Sequence, residues 1–440
     1  MMHSRKRDAM RKKKKCSMLE EILDRRNIEK ALIKVVSNKG AGGIDGMQTD
    51  ELSAYINANW QSLRAGILEG SYRPAPVRKV EIPKPQGGKR MLGIPTVVDR
   101  LIQQSIAQWM QVYYEPFFSK QSYGFRPGKN AHQAVLQAQE YLNNGKAWII
   151  ELDLEKFFDH VNHDRLMTLL SRKIADKRTL KLIRAYLTSG IMEGGVSSQR
   201  TKGTPQGSPL SPLLSNIVLD ELDKELEKRG LSYVRYADDI SIYVSSKASA
   251  ERVKVNVMNF IERRLQLKVN REKSKVSHPN QSNLLGFSFY QYKRKWLVRI
   301  ANRSIERLKT KCKEITKRSN ALSEEARISK LTLLIRGWVN YFATDTAKSL
   351  MKELDKYVRM RLRICKWKQW KKRKTKAYNL RKLGIPANKA YQWSFSRGFI
   401  RTAISPVLQR SLTNEYFQKK GYDGFLNTYI WLKKTQLSLF

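Results

Sequence analysis

The sequence predicts an α+β protein in which helix and strand alternate over roughly the first two thirds and helix dominates the rest. Three observations carry that reading. Leu231–Arg235 and Ile240–Ser246 flank a tight turn at Tyr236-Ala237-Asp238-Asp239 and read as a β-hairpin, the second strand alternating apolar and polar residues. Trp148-Ile149-Ile150-Glu151-Leu152 is a short apolar run with strand character that closes on Asp153. From about Ile300 onward the strand-like segments cease and helical spacing takes over, which marks the clearest domain boundary in the chain.

Taken in order, the elements begin with a basic opening segment containing Arg5-Lys6-Arg7 and Arg11 to Lys15, followed by helical periodicity from Met18 to Val36. No apolar stretch follows the basic residues, so they do not read as a signal peptide; a mobile arm on phosphates and a solvated tail are both compatible with them. Asn38 to Gly46 is a glycine-rich loop without the spacing or the Lys-Ser/Thr ending of a P-loop, and Asp45 within it reads as a turn residue. A helix from Thr49 to Leu68 precedes a hairpin from Val80 to Ile94 that turns at Pro85-Gln86-Gly87-Gly88, with Lys84 and Arg90 beside the turn. Helices are expected over Val98–Val112 and Asn130–Leu142, then the strand ending at Asp153, then a helix over Glu155–Leu170. The breaker run Gly203-Thr204-Pro205-Gln206-Gly207-Ser208-Pro209 leads into a helix over Leu213–Arg229. After the Asp-Asp hairpin come a helix over Ser249–Leu265 and strands near Lys275 and Phe287.

Charge narrows the partner. The 440 residues carry 85 Lys and Arg against 39 Asp and Glu, a net +46 with a pI near 10.2, which calls for a polyanion such as a phosphate backbone. From Lys356 to Asn414 there are seventeen basic residues and no acidic one, interleaved with Trp367, Trp370, Tyr378, Tyr391, Trp393 and Phe395. Cations follow a nucleic-acid backbone and flat rings stack on bases or sugars, although the rings equally suit the core of a small helical domain. Lys371, Lys372, Arg373 and Lys374 form the densest basic run there and are the expected template contacts. No stretch approaches the ~18 apolar residues of a membrane span, and no lipidation motif is present. Cys16, Cys312 and Cys365 are too far apart for a disulfide framework or a zinc site, which suits a reducing, cytoplasmic compartment.

The chemistry concentrates in three carboxylates. Asp238 and Asp239 repel each other on one turn, and a fold that puts them there together with Asp153 gains from cations between them. Three hard oxygen ligands from two strand ends suit two Mg²⁺ ions of the kind that clamp both oxygens of a phosphoryl transfer. An Asp-Asp turn by itself is equally compatible with a plain turn. His160 and His163 are read as structural, since the segment Asp159–Asp164 suits a helix start.

Several motifs, in order along nearly the whole chain, resemble those of the bacterial group II intron reverse transcriptases, the maturases encoded within mobile self-splicing introns. Ile82-Pro83-Lys84-Pro85 with Gly87-Gly88-Lys89-Arg90 is similar to the first fingers motif, and Ser122-Tyr123-Gly124-Phe125-Arg126-Pro127 to the second. Asp153 to Asp159 resembles the palm motif with its catalytic aspartate, Thr204 to Pro212 the Pro-Gln-Gly motif, and Tyr236 to Asp239 the catalytic hairpin. Leu285-Gly286-Phe287 resembles the strand that closes the palm, and Leu334 to Phe342 the maturase thumb signature.

The resemblance implies a right-hand polymerase: a basic arm over 1–17, fingers and palm over 18–300, a helical thumb or maturase domain over 301–372, and a small basic DNA-binding domain over 373–440. It implies an RNA-directed DNA polymerase that copies its intron RNA into DNA at a target site and assists splicing by binding the structured intron RNA. Its partners would be intron RNA, an RNA template with a DNA or RNA primer, and target DNA. By resemblance, Asp153, Asp238 and Asp239 are catalytic and hold the two Mg²⁺ ions, with the Leu154 carbonyl as a further ligand. Lys84 and Arg90 would grip the incoming triphosphate, Gln206 would line the nucleotide pocket, and Arg126 would touch template or nucleotide. Phe157 would press on the sugar 2′ carbon and select deoxynucleotides. Many relatives end in an endonuclease rich in Cys and His; this sequence shows none, so target DNA opened or nicked by other means is expected. Of two rivals, a splicing factor or RNA chaperone whose polymerase core is scaffold is opposed by the intact set of Asp153, Asp238 and Asp239, whereas a free-standing reverse transcriptase of defence or repair stays open on sequence alone.

Overall fold

A computed structural model describes residues 17–83, 87–193, 196–198 and 201–437. The chain divides into two compact units, one ending at Pro279 and the other running from Asn280. The division therefore falls before the change of class near Ile300, and the hairpin that precedes that change goes with the second unit.

The first unit is organised by a four-stranded sheet in the order β6-β7-β3-β8: β3 is Trp148–Leu152, β6 Ser232–Tyr236, β7 Asp239–Val244 and β8 Lys275–Ser277. All its pairings are antiparallel, and β3 lies against β7 with Trp148 opposite Val244 and Leu152 opposite Ile240. Every residue of β7 after Asp239 is buried, so the alternation legible in its sequence is not an inside-outside alternation. Ile240, Ile242 and Val244 enter the main core, with Leu213, Leu222 and Leu226 of the helix Ser211–Lys228 and with Val257 and Ile261 of the helix Lys247–Arg263. The opposite face carries Tyr243, whose ring lies 5.5 Å from that of Tyr141 on the helix Ala131–Asn143. Helices cover both faces of this sheet, and its centre is mostly apolar, with Glu151 of β3, Tyr243 of β7 and the buried Arg235 of β6 among the exceptions.

A second sheet runs β2-β1-β4-β5, with β1 Val77–Pro83, β2 Lys89–Ile94, β4 Ile191–Glu193 and β5 Val196–Ser198. The expected hairpin is β1 and β2, with Ile82 opposite Arg90; Lys84, Pro85 and Gln86 at its tip lie outside the described residues, as does the basic arm before Ser17. β4 and β5, three residues each, are too short to carry a readable period, and β4 joins β1 in parallel.

Two expected helices are each split by a capping residue. Asp24 accepts a hydrogen bond from the Arg26 amide at 2.9 Å and starts Arg25–Ser37 afresh after the short helix Met18–Ile22. Asn162 does the same for the Arg165 amide at 3.0 Å, dividing Phe157–His160 from His163–Ser171.

The second unit opens with the hairpin of β9, Phe287–Tyr292, and β10, Lys295–Ile300. Lys293 and Arg294 at its turn both have positive φ, the condition for a two-residue turn matched to strand twist. Helices Asn302–Ile315, Glu324–Phe342 and Lys348–Gln369 follow, then shorter ones to the helix Gly424–Leu437. The last of these folds back against Glu324–Phe342 and Lys348–Gln369. Asp355 caps it, accepting from the Phe425 and Leu426 amides at 2.8 and 3.0 Å and from the Tyr422 hydroxyl at 3.0 Å. Residues after Lys372 are thus part of the same compact unit as the helices before them, and the boundary expected at 372/373 separates no compact bodies. No helix among the described residues is long and apolar enough to cross a membrane.

Candidate active site

The turn between β6 and β7 holds the two adjacent aspartates, Tyr236 pairing with Asp239 across it. Ala237 adopts φ +56, a left-handed conformation that a residue with a Cβ rarely takes. The reason it does so here is packing. Gly124 lies flat against the turn: a Cβ built on it would come within 2.3 Å of the Ala237 nitrogen. The Tyr123 amide donates to the Arg235 carbonyl at 2.8 Å and the Arg235 amide to the Gln121 carbonyl at 3.0 Å, so the second fingers-like motif runs as a bridge alongside β6.

Asp153 follows β3, one step beyond the Leu152–Ile240 pair, which brings it beside Asp239. Its amide donates to the Ser274 hydroxyl at 3.1 Å, and its carbonyl accepts from Asn270 at 2.8 Å. With the Glu155 amide on the Lys268 carbonyl at 2.8 Å, these bonds use the atoms either side of Leu154 and leave the Leu154 carbonyl on the other edge.

The three carboxylates lie in one another's fields. Burial raises the Asp238 carboxyl above its ordinary value, Asp153 adds to the rise, and Arg90 and Arg235 oppose it. Asp239 is pushed up to about 6, first by desolvation and then by Asp238, Asp153 and Glu151. Asp239 has an exposed surface, yet dense protein lies beneath it, so desolvation and the like charges around it push its carboxyl in the same direction. A clustered, mutually repelling, all-oxygen donor set fits a hard divalent cation. The chelate is not preformed: among the described residues no three His, Cys, Asp or Glu side chains converge as a metal group. Instead Asp153 has Lys273 as its cation, 3.6 Å away.

Arg90, on β2, is exposed, and its charge reaches Asp238. Gln206 is half-buried and its carbonyl accepts from the Gly93 amide of β2 at 2.9 Å. The loop it belongs to is held from behind. Gly203 has φ +85 and its Cα sits so close to Phe158 and Asp159 that a Cβ would meet their backbone at 2.8–2.9 Å. The Gly203 and Thr204 amides donate to the Val161 and Phe158 carbonyls at 2.8 and 2.6 Å. His163 is buried with its Nε2 2.7 Å from the Gly203 carbonyl, a structural role as its position in the sequence suggested.

Two expectations are corrected by burial. Phe157 is only 2% exposed and packs in the main core, whereas its neighbour Phe158 is half-buried. Lys156 takes φ +45, which swings the start of the following helix and turns the first ring inward. Arg126 is likewise no template contact. Its side chain is 5% exposed, and its guanidinium donates to Glu115 at 2.7 and 3.0 Å and to the Ser119 and Ser122 carbonyls, the latter at 2.8 Å. It pins the loop that lies against the turn of Asp238 and Asp239.

In the second unit the basic run Lys371, Lys372, Arg373 and Lys374 is exposed throughout. Trp367 and Trp370 are core residues, while Tyr378, Tyr391 and Phe395 are exposed and Arg373 sits 4.4 Å from the Phe395 ring centre. Two motifs far apart in sequence also meet within this unit: the Tyr341 hydroxyl donates to the Leu285 carbonyl at 2.9 Å, and the Phe342 ring lies over Gly286.

Sequence reading missed Arg235, Asp223 and Asn216, which back the turn of Asp238 and Asp239. A signal was present: an arginine inside the apolar strand Tyr233-Val234-Arg235-Tyr236, and an aspartate on the apolar face Leu219, Leu222, Asp223, Leu226 of a helix.

Residues 82–289 match the family "Reverse transcriptase (RNA-dependent DNA polymerase)", and residues 305–384 match "Group II intron, maturase-specific domain". Protein YkfC of Escherichia coli (strain K12) is 34% identical over 294 residues, covering 58% of this chain and 76% of that one. The group II intron-encoded protein LtrA of Lactococcus lactis subsp. cremoris is 31% identical over 317 residues, 57% of this chain and 53% of its own. The putative COX1/OXI3 intron 2 protein of Saccharomyces cerevisiae is 29% identical over 336 residues, 62% of this chain and 38% of its own. The chain thus spans about three quarters of YkfC and about half of LtrA. Among solved structures, a chain of a partial Cas6-RT-Cas1–Cas2 complex is similar at TM-score 0.37 and 24% identity, over 56% of this chain and 43% of that one. With a reverse transcriptase domain followed by a group II intron maturase domain, the chain belongs to the family of group II intron-encoded reverse transcriptases and maturases.

Proposed function

We propose that this protein is an RNA-directed DNA polymerase that copies an intron RNA into DNA at a target site and assists the splicing of that intron in the bacterial cytoplasm. The observation that carries the polymerase reading is the strand register that sets Asp153, one step past the Leu152–Ile240 pair, beside the turn of Asp238 and Asp239, with the charge of Arg90 on the neighbouring sheet reaching Asp238. The layout we assign is a right hand, with fingers and palm in the first unit and a helical thumb in the second.

Two Mg²⁺ ions held by Asp153, Asp238, Asp239 and the Leu154 carbonyl would supply acidity to the primer 3′-hydroxyl and charge neutralisation at the phosphates. For Asp153 to take part, its carboxylate exchanges Lys273 for the ion. Arg90 carries a fork of donors that matches phosphate oxygens, and its exposed place beside the carboxylates suits the triphosphate of an incoming nucleotide. Lys84, expected beside it, belongs to the hairpin tip outside the described residues. Gln206, fixed through its backbone to β2, presents a half-buried amide beside that hairpin. We assign the contact with the sugar 2′ carbon to Phe158, because Phe157 has no free face. The exposed Lys371, Lys372, Arg373 and Lys374, with the exposed rings nearby, suit an RNA or DNA backbone. The maturase domain on the same chain supports recognition of structured intron RNA through shape and phosphates.

The deciding experiment is primer extension on an RNA template with magnesium. Asp238→Ala is expected to abolish extension and to leave RNA affinity unchanged; extension at the normal rate would refute the carboxylate assignment.

A further inference from the structure

Behind the turn that carries Asp238 and Asp239 lies an ion pair with no solvent contact at all. Arg235 and Asp223 have fully buried side chains, and Arg235 Nε donates to Asp223 Oδ1 at 2.8 Å while Nη2 lies against Oδ2. The third nitrogen of the fork, Nη1, makes two other bonds: to Asn216 Oδ1 at 3.0 Å and to the Ala237 carbonyl at 3.0 Å. Asn216, also buried, uses its Nδ2 to donate to the Gly124 carbonyl at 2.9 Å. One guanidinium thus ties together a helix, the catalytic turn and the loop that packs on that turn.

Stability alone does not account for such a pair. Removing two charges from water is costly, and apolar side chains of similar volume fill such space as well or better. Apolar side chains cannot hold a carbonyl. The carbonyl in question belongs to Ala237, whose φ of +56 turns the chain between Tyr236 and the two aspartates. A residue in that conformation persists only where its surroundings over-determine it. The neighbours that do so are the Nη1 bond, the close approach of Gly124, and the two backbone bonds of Arg235 itself.

We propose that Arg235 is a positioning residue for nucleotidyl transfer: from its buried pair with Asp223 it fixes the Ala237 carbonyl, and through Asn216 and Gly124 it locks the adjoining loop to the same turn, so that Asp238 and Asp239 are held in register with Asp153. The proposal rests on the polymerase reading above. It assigns Arg235 no contact with substrate; its effect passes through the backbone of the turn.

The test replaces the pair by an apolar one, Arg235→Met with Asp223→Leu in the same chain, and separately makes Arg235→Lys. Lysine keeps the charge, but its single ammonium cannot span Asp223, Asn216 and Ala237 as the fork does. Thermal midpoint, RNA affinity, kcat and KM for deoxynucleotides, and the Mg²⁺ concentration giving half-maximal rate are measured on each. The double variant is expected to melt within a few degrees of the wild type and to bind RNA equally well. Its kcat should fall about 100-fold, as an ångström of misplacement produces, with a raised Mg²⁺ requirement and a deoxynucleotide KM changed less than the kcat. A folded double variant with wild-type kcat and Mg²⁺ requirement overturns the proposal. Should the double variant fail to fold, Arg235→Lys decides by the same two numbers. Failure of both to fold also overturns it, because the pair is then a stability element. Wild-type protein that extends no primer refutes the polymerase reading instead.

Discussion

Replacing Gly124 by alanine adds one methyl group where the backbone of the Asp238-Asp239 turn already stands. A Cβ at that position would lie 2.3 Å from the Ala237 nitrogen, 3.0 Å from the Tyr236 carbonyl carbon and 3.2 Å from the Ala237 Cα. All three are backbone atoms, so no rotamer change relieves the clash. To reach the 3.4 Å of ordinary van der Waals packing, the turn or the loop must retreat by about an ångström. The loop is poorly able to do so, since Arg126 clamps it to Glu115 and Asn216 holds the Gly124 carbonyl. The displacement therefore falls on Asp238 and Asp239. Misplacement of reacting groups by about 1 Å costs on the order of 10²-fold in rate, or about 2.7 kcal/mol of transition-state stabilisation at ~1.36 kcal/mol per tenfold. Single-turnover primer extension at saturating magnesium and deoxynucleotide measures that rate directly, and RNA affinity reports whether the rest of the chain is intact. Extension within threefold of the wild type, from a variant that melts normally, would refute the claim that this close approach sets the turn.

The two phenylalanines should separate by experiment. Phe157→Ala is expected to destabilise the first unit by about 3–5 kcal/mol, read as a lowered denaturant midpoint, whereas Phe158→Ala should raise ribonucleotide incorporation with little loss of stability; a discrimination defect confined to Phe157→Ala would reverse the assignment. Asp239, pushed up to about 6 from 3.8, holds a proton in the folded state that the unfolded chain has already released between those values, so metal-free stability should fall as pH rises through that window. Magnesium should then raise the melting temperature more at pH 7.5 than at pH 5, and an equal shift at both would count against the carboxylate cluster as its site. Changing Lys371, Lys372, Arg373 and Lys374 together to Gln should flatten the logarithmic salt dependence of RNA binding by about 0.7 for each single-strand phosphate that these side chains neutralise, and an unchanged slope would remove the quartet from the interface.

Local chemistry explains which parts of this protein could be read in advance. The hairpin around Asp238 and Asp239 announces itself because turn residues separate two short strand-forming runs, and β6 and β7 begin within a residue of where those runs do. Asp153 is equally visible as the end of a buried strand. The errors arose where a backbone irregularity intervened. Counting forward from Asp153 cannot tell that Lys156 has φ +45, nor that Phe157 rather than Phe158 is the ring fully buried in the core. The Arg126 assignment failed differently: a basic residue in a nucleic-acid enzyme suggests phosphate, and only the folded loop reveals Glu115 waiting eleven residues upstream in sequence. The split helices were decidable, since Asp24 and Asn162 are good caps, but each sits inside a longer apolar period that masks it.

Holding like charges together is the structural difficulty of this site, and the chain meets it chiefly with the backbone. Three residues with a Cβ in left-handed conformation, Phe125, Lys156 and Ala237, occur one in each of the segments that build the site. Such conformations carry strain of order 1–3 kcal/mol, and each here is locked by bonds that do not involve the acidic side chains: Arg126 to Ser122 beside Phe125, the Asp159 amide to the Lys156 carbonyl, Arg235 to the Ala237 carbonyl. The scaffold therefore does not depend on the carboxylates attracting anything. Asp153 can give up Lys273 and Asp238 can remain in the field of Arg90 while the peptide planes beneath them stay fixed. That separation of roles suits a polymerase, which must bind and release a highly charged substrate and product at every nucleotide without rebuilding the surface on which they meet.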